Sequence, residues 1–229
     1  MDSSGSNRSI SDVPHPYFPK HIKLDLRESF HSTITVLAVL GSTVSLLVFV
    51  VLLLAKRSRT KIRGLDKFAL CWFTVCSVIH IVLEGYFAYN HKTLASKHGI
   101  LADLWREYSH SDSRYLTSDP FTVIMESITA IFDGALSIAS IYAIFTNSPA
   151  RHIFQLICSV MQLYGDVLYM LTNKFENYLY TNPDPYYFWV YFFAMNIPWI
   201  IIPIVLICQS CKQLYIGMNF NHTNKLKDS

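Results

Sequence analysis

The sequence predicts an all-α integral membrane protein, a bundle of five transmembrane helices enclosing an intramembrane polar-lined cavity. Two observations carry that expectation. Hydrophobic residues make up 52% of the 229 residues and charged residues only 15%, against roughly 25% charged in ordinary globular domains. The apolar residues are also gathered into five runs, 34–55, 68–90, 120–146, 153–172 and 185–208. Each run is about 20 residues or longer, enough at a rise of roughly 1.5 Å per residue to cross a hydrocarbon core of roughly 30 Å. Their apolar residues do not alternate with polar ones as barrel strands do, so helices are the way to satisfy the backbone in lipid. This composition excludes a disordered chain, and a net charge of +3 is too small to call for nucleic acid as a partner.

The first run carries no ionisable side chain and follows a polar tail, which is not the pattern of a cleaved signal peptide. After it come Lys56, Arg57, Arg59, Lys61, Arg63 and Lys67, the strongest candidate for a cytosolic loop. Five spans then place the N-terminus and the 90–119 loop in the lumen and the C-terminus in the cytosol. The expected organisation is a lumenal tail over 1–33, a membrane domain over 34–208 and a cytosolic tail over 209–229. Lys225 and Lys227 resemble a dilysine-type signal for retrieval to the endoplasmic reticulum, which works from the cytosol; a solvated basic tail reads the same way. Of the sequons at Asn7 and Asn221, only the first then lies in the lumen. Cys71, Cys76, Cys158, Cys208 and Cys211 are expected to form no disulfide. There is no repeat and no low-complexity segment.

An ionisable side chain inside a membrane costs a few kcal/mol even on the lenient insertion scale, so each needs a partner or a task. His80 and Glu84, four apart, share one face of the second run, as do Glu126, Thr129 and Asp133 in the third. Gln162 and Asp166 are four apart in the fourth run, and Asn196 and Trp199 three apart in the fifth. The simplest geometry has helices two to five around one cavity and helix one packed outside. Pro198 and Pro203 are expected to kink the fifth helix beside Asn196.

Plainer readings stay open for each group. His80 and Glu84 could be a structural pair, and Trp199 could be packing. Asp166 beside Gly165, and Asp133 beside Gly134, could be polar glue between helices. His80, Glu84 and Glu126 could together ligate a metal, but no second histidine lies in any span, and no metal or cofactor is expected. A cavity of this kind suits a lipid-soluble ligand. Desolvated carboxyls favour their protonated form, and an acid held so can donate a proton while a neighbouring imidazole accepts or relays one. The residues therefore suggest proton transfer on a hydrophobic substrate; a proton or ion pathway is the rival.

The same residues resemble the emopamil-binding-protein family of sterol Δ8–Δ7 isomerases, within the wider EXPERA group. The similar stretches begin with His15-Pro16-Tyr17, Leu70-Cys71-Trp72-Phe73 and His80-Ile81-Val82-Leu83-Glu84-Gly85. They continue with Leu104-Trp105-Arg106-Glu107-Tyr108, Asp112-Ser113-Arg114-Tyr115 and residues 121–130 around Met125, Glu126 and Thr129. Tyr164-Gly165-Asp166-Val167-Leu168-Tyr169 and Met195-Asn196 with Trp199 complete the set, which runs over residues 14–208 with its core over 65–208. No single motif decides; the ordered set is specific.

The resemblance implies a five-helix fold in the endoplasmic reticulum membrane and a Δ8 sterol as substrate. It implies protonation at C9, a carbocation at C8 and proton loss at C7. His80, Glu84 and Glu126 would handle the protons, and Thr129 and Asn196 would hold the hydrogen-bond network around them. Trp199 would face the cation, Met125 would line the substrate site, and Tyr108 and Tyr115 would close the cavity. Cationic amphiphilic drugs would bind as mimics of the carbocation, with membrane lipid around and a homodimer possible. The alternative is a relative that binds sterols or amines without isomerising them.

Overall fold

The computed structural model describes residues 15–62 and 64–227. The Asn7 sequon and Arg63 lie outside the described residues, as do the side chains of Asn221, Lys225 and Lys227. Helices dominate, no strand forms among the described residues, and five helices are long and apolar enough to cross a membrane. They are α1 (Thr33–Arg57), α2 (Leu65–Asn90), α5 (Pro120–Phe145), α6 (Arg151–Phe175) and α7, which joins a π-helical stretch Tyr187–Ala194 to the helix Ile197–Lys227. Two short helices, α3 (Ile100–Tyr108) and α4 (Arg114–Thr117), lie between α2 and α5.

Local chemistry sets several ends. Ser32 caps α1 by accepting from the Thr35 N–H at 3.2 Å, and Lys56 and Arg57 in its last turn complement the carbonyl end. Asp119 caps α5 through the Thr122 N–H at 2.8 Å, with Pro120 at the first helical position, where its missing N–H is not needed. Half of the apolar window of α2 is buried but only 11% of that of α1, so α2 runs through the bundle and α1 lies against lipid.

Two expectations about the helices are corrected. The fifth helix does not end near Cys208 but continues to Lys227, because beyond Pro203 the sequence holds no further proline to stop it. The interruption of that span falls at Met195 and Asn196, ahead of Pro198, which sits in the first turn of the following helix. Three spans also contain π-helical stretches, Ile79–Glu84, Thr129–Asp133 and Tyr187–Ala194. The Gly85 N–H reaches back to the His80 carbonyl, and the Gly134 N–H to that of Thr129, the wider i→i+5 spacing of this helix type.

The 90–119 connection is an ordered cap. Trp105 donates its indole N–H to the Leu83 carbonyl at 3.0 Å, and the buried Arg106 guanidinium donates to the carbonyls of Leu94 and Lys97. Asp103 binds Arg106 and accepts from the His31 N–H at 3.0 Å, tying the segment before α1 to α3. Burial alone would raise the Asp103 pKa, but these donors hold it below the usual carboxylate value. Arg114 lies fully inside the cap against Asp112 at 2.8 Å. Burial opposes its charge, and the Asp112 carboxylate more than reverses that, keeping its pKa above the ordinary guanidinium value.

Candidate active site

The two π-helical stretches of α2 and α5 pack against each other, and Gly134 lets them do so. A Cβ there would lie 2.6 Å from Ile81 Cγ1, closer than any real contact. This approach sets the Thr129 hydroxyl 2.5 Å from Glu84 Oε2, joining α5 to α2. Thr129 Oγ1 also lies 3.1 Å from the Glu126 carbonyl. On α2 the His80 ring Nδ1 is 2.8 Å from the Glu84 carboxylate oxygens. On α5 the Glu126 Oε1 accepts from the Tyr115 hydroxyl at 2.6 Å. Burial, and next the Glu126 charge, push the Tyr115 pKa up, so this phenol stays a donor.

One further contact fixes the His80 tautomer. Trp72 donates its indole N–H to Gln162 Oε1 at 3.2 Å, and an indole can only donate. The Gln162 amide nitrogen is therefore the atom 3.0 Å from His80 Nε2. That nitrogen donates, so Nε2 accepts and the ring proton sits on Nδ1, facing Glu84. Glu84 thus receives two donors, His80 and Thr129, whereas Glu126 receives Tyr115.

These groups share a cavity of about 320 Å³ with Tyr108, Met125, Asn196 and Trp199. Every site residue expected from the sequence lines it. The volume is within the ~300–1,000 Å³ of small-molecule sites. Trp199 rests against Trp72 at 5.1 Å between ring centres. Asn196 does not join the carboxyls: its amide donates to the Phe192 carbonyl at 2.5 Å and faces the Tyr108 hydroxyl at 3.5 Å.

The first helix is not outside the cavity, as expected, because Leu37 and Leu40 form part of its wall. Leu37 is 40% exposed and Met195 41%, and they are the exposed members of the wall. The cavity therefore opens sideways, between α1 and α7. Above that opening Glu107 accepts from the Thr33 hydroxyl at 2.8 Å and the Tyr191 hydroxyl at 2.9 Å, one from each flanking helix.

Asp133 and Asp166 are not glue between helices. Both Asp133 oxygens and Asp166 Oδ2 have no hydrogen-bond partner among the described residues, and both residues line the cavity. The close helix contact beside Asp133 is made by Gly134, where a Cβ would meet Ile81. In the sequence Gln162 stands out only as part of a stripe, and Trp72, Tyr169 and Glu107 appear only inside the resembling stretches, with no role of their own. Their one signal was polar or amphipathic character inside or beside an apolar run. Among the described residues no group of three or more His, Cys, Asp or Glu side chains could hold a metal ion.

Residues 100–210 match the family model for EXPERA, the expanded EBP superfamily. Over 216 residues the chain is 37% identical to the 3-beta-hydroxysteroid-Delta(8),Delta(7)-isomerase of Cavia porcellus, covering 93% of this chain and 94% of that one. It belongs to the EXPERA superfamily. Its similarity to the Rattus norvegicus protein of the same name is 41% over 203 residues, 87% of this chain and 88% of the relative. A relative with another name, protoglabretal synthase of Ailanthus altissima, is 31% identical over 93% of this chain and 98% of its own. The EXPERA match begins at the first residue of α3, so it takes in the cap from there on, α5, α6 and the cavity-lining part of α7.

Proposed function

We propose that this chain is a sterol Δ8–Δ7 isomerase. The observation that carries the proposal is the bonded array of His80, Glu84 and Thr129, with the Tyr115-bonded Glu126 on the same wall, in a cavity that opens sideways toward lipid. A 3-beta-hydroxysteroid, the compound class in its relatives' names, has a matching form: an apolar ring system with a single hydroxyl. Glu84, with two donors on its carboxylate, is suited to accept a proton. Glu126, with Tyr115 as its donor, is suited to deliver one. The Δ8 double bond takes the Glu126 proton at C9, leaving the positive charge at C8. The C7–H electrons then close the Δ7 bond and that proton passes to Glu84, whose charge His80 steadies from Nδ1. Return of the proton from Glu84 to Glu126 restores the site, so no atom is gained or lost. The test is to supply a Δ8 sterol to purified protein in deuterated water. A Δ7 product carrying deuterium at C9 is expected; no conversion by folded protein overturns the proposal.

Trp199 supports the same reading by presenting its ring to the cavity, where it would face the C8 cation. Cationic amphiphilic amines would occupy the same place. Trp199→Ala is expected to weaken binding of such an amine about tenfold, and that of a neutral sterol by much less. Displacement binding with both ligands measures this, and equal losses leave Trp199 a packing residue.

The proposed location is the endoplasmic reticulum membrane, with the N-terminus lumenal and the 56–67 basic stretch cytosolic. Protein expressed in cells with a glycosylating lumen should then carry no glycan at Asn221, and Asn7 is the accessible sequon. A mobility shift on glycosidase treatment that Asn221→Gln abolishes would reverse the orientation.

A further inference from the structure

We infer that Asp166 is the group that binds the 3β-hydroxyl of the steroid. This rests on the isomerase reading and adds to it the recognition of the substrate's polar end. A 3-beta-hydroxysteroid brings one polar atom into the cavity, and that atom loses its water on entry. Most polar groups on the wall already have partners. Gln162 is bound to Trp72 and His80, Glu107 to Thr33 and Tyr191, and Tyr115 to Glu126.

Asp133 and Asp166 remain, each with carboxyl oxygen that meets no donor. Asp133 is 0% exposed and closes the π-helical stretch that Thr129 opens, on the same helix as Glu126. Asp166 is 8% exposed, so part of it still faces the cavity, and it lies on α6. That helix supplies none of the carboxyls assigned to proton transfer. A steroid whose C8–C9 region lies against α2 and α5 has its hydroxyl two rings away, and α6 is the wall that offers a free partner. Gly165 keeps the wall open beside Asp166, since it has no side chain. A steroid hydroxyl can donate one hydrogen bond, and the Asp166 carboxyl oxygen that meets no donor among the described residues is the acceptor facing the cavity.

The experiment compares 3β-hydroxy and 3-deoxy Δ8 steroids as competitors of a labelled cationic amine, which has no hydroxyl and reports folding. Wild type should prefer the hydroxy compound. Asp166→Leu should lose at least about tenfold for the hydroxy steroid and keep its affinity for the 3-deoxy steroid and the amine. Turnover should show the same change as a raised KM with kcat near that of wild type. Asp166→Ala removes the same carboxyl without adding apolar bulk and should narrow the preference in the same way. An unchanged preference in whichever variant still binds the amine overturns the inference, as does an equal loss for both steroids. Because the reading is equilibrium binding, protein that selects the hydroxy steroid but never converts it would sink the proposed activity and leave this site standing.

Discussion

Glu126→Gln is expected to lower isomerase turnover at least about 100-fold, the lower scale for a general acid–base group, while leaving neutral sterol binding intact. The substitution keeps the side chain's shape and an acceptor oxygen for the Tyr115 hydroxyl, 2.6 Å away. It removes the transferable proton. A structural loss would instead disturb the cap, because Tyr115 follows Arg114 and packs on Trp105 at 4.7 Å between ring centres. Turnover, sterol affinity and thermal unfolding measured on one preparation separate the two cases. A folded variant with near-native activity would take Glu126 out of the mechanism and leave His80 and Glu84 to handle both protons.

The second large effect is on stability. Arg114→Met should destabilise the protein by about 3–5 kcal/mol, the cost of leaving a buried carboxylate without its cation. Arg114 and Asp112 are 1% and 0% exposed. The guanidinium reaches Asp112 Oδ2 at 2.8 Å and the Thr172 hydroxyl at 3.0 Å, and it lies 4.8 Å from the centre of the Tyr169 ring. Asn173 donates to the same Asp112 oxygen at 2.8 Å, so the pair bolts the cap to the end of α6. Removing the anion as well, in Arg114→Met with Asp112→Asn, should recover much of the loss, since no unpaired charge then remains. Thermal unfolding in detergent checks both. A single variant as stable as wild type would show that the cap does not depend on this pair.

The spans were legible because lipid demands long apolar runs, and the site was legible because charge in those runs is costly enough to carry meaning. His80, Glu84 and Glu126 stood out for that reason, Thr129 by sharing the helix face of Glu126, and the structure brings them to one wall. What hid was whatever made no local mark. A π-helical stretch has the composition of an α-helix, so nothing at 79–84 or 129–133 announced the change of spacing. The Trp72–Gln162 bond joins helices ninety residues apart in sequence. Trp72 by itself reads as one more apolar residue. The 90–119 segment looked like a loop because its buried charges, Asp103, Arg106, Asp112 and Arg114, resemble solvated ones until their partners are known. Asp166 was visible but misread: its neighbour Gly165 suggested a helix contact, and the carboxyl instead faces open volume.

The sideways opening under Glu107 changes what counts as ligand concentration for this protein. A compound that enters between α1 and α7 comes from the leaflet, so the site samples the amount dissolved in lipid rather than the amount in water. Occupancy at a fixed total dose then tracks how strongly a compound partitions into the bilayer, and it falls as more lipid is added to dilute it. Two ligands with the same fit to the cavity can differ widely in apparent potency for that reason alone. Affinities for this protein acquire meaning when expressed per mole of surrounding lipid or detergent.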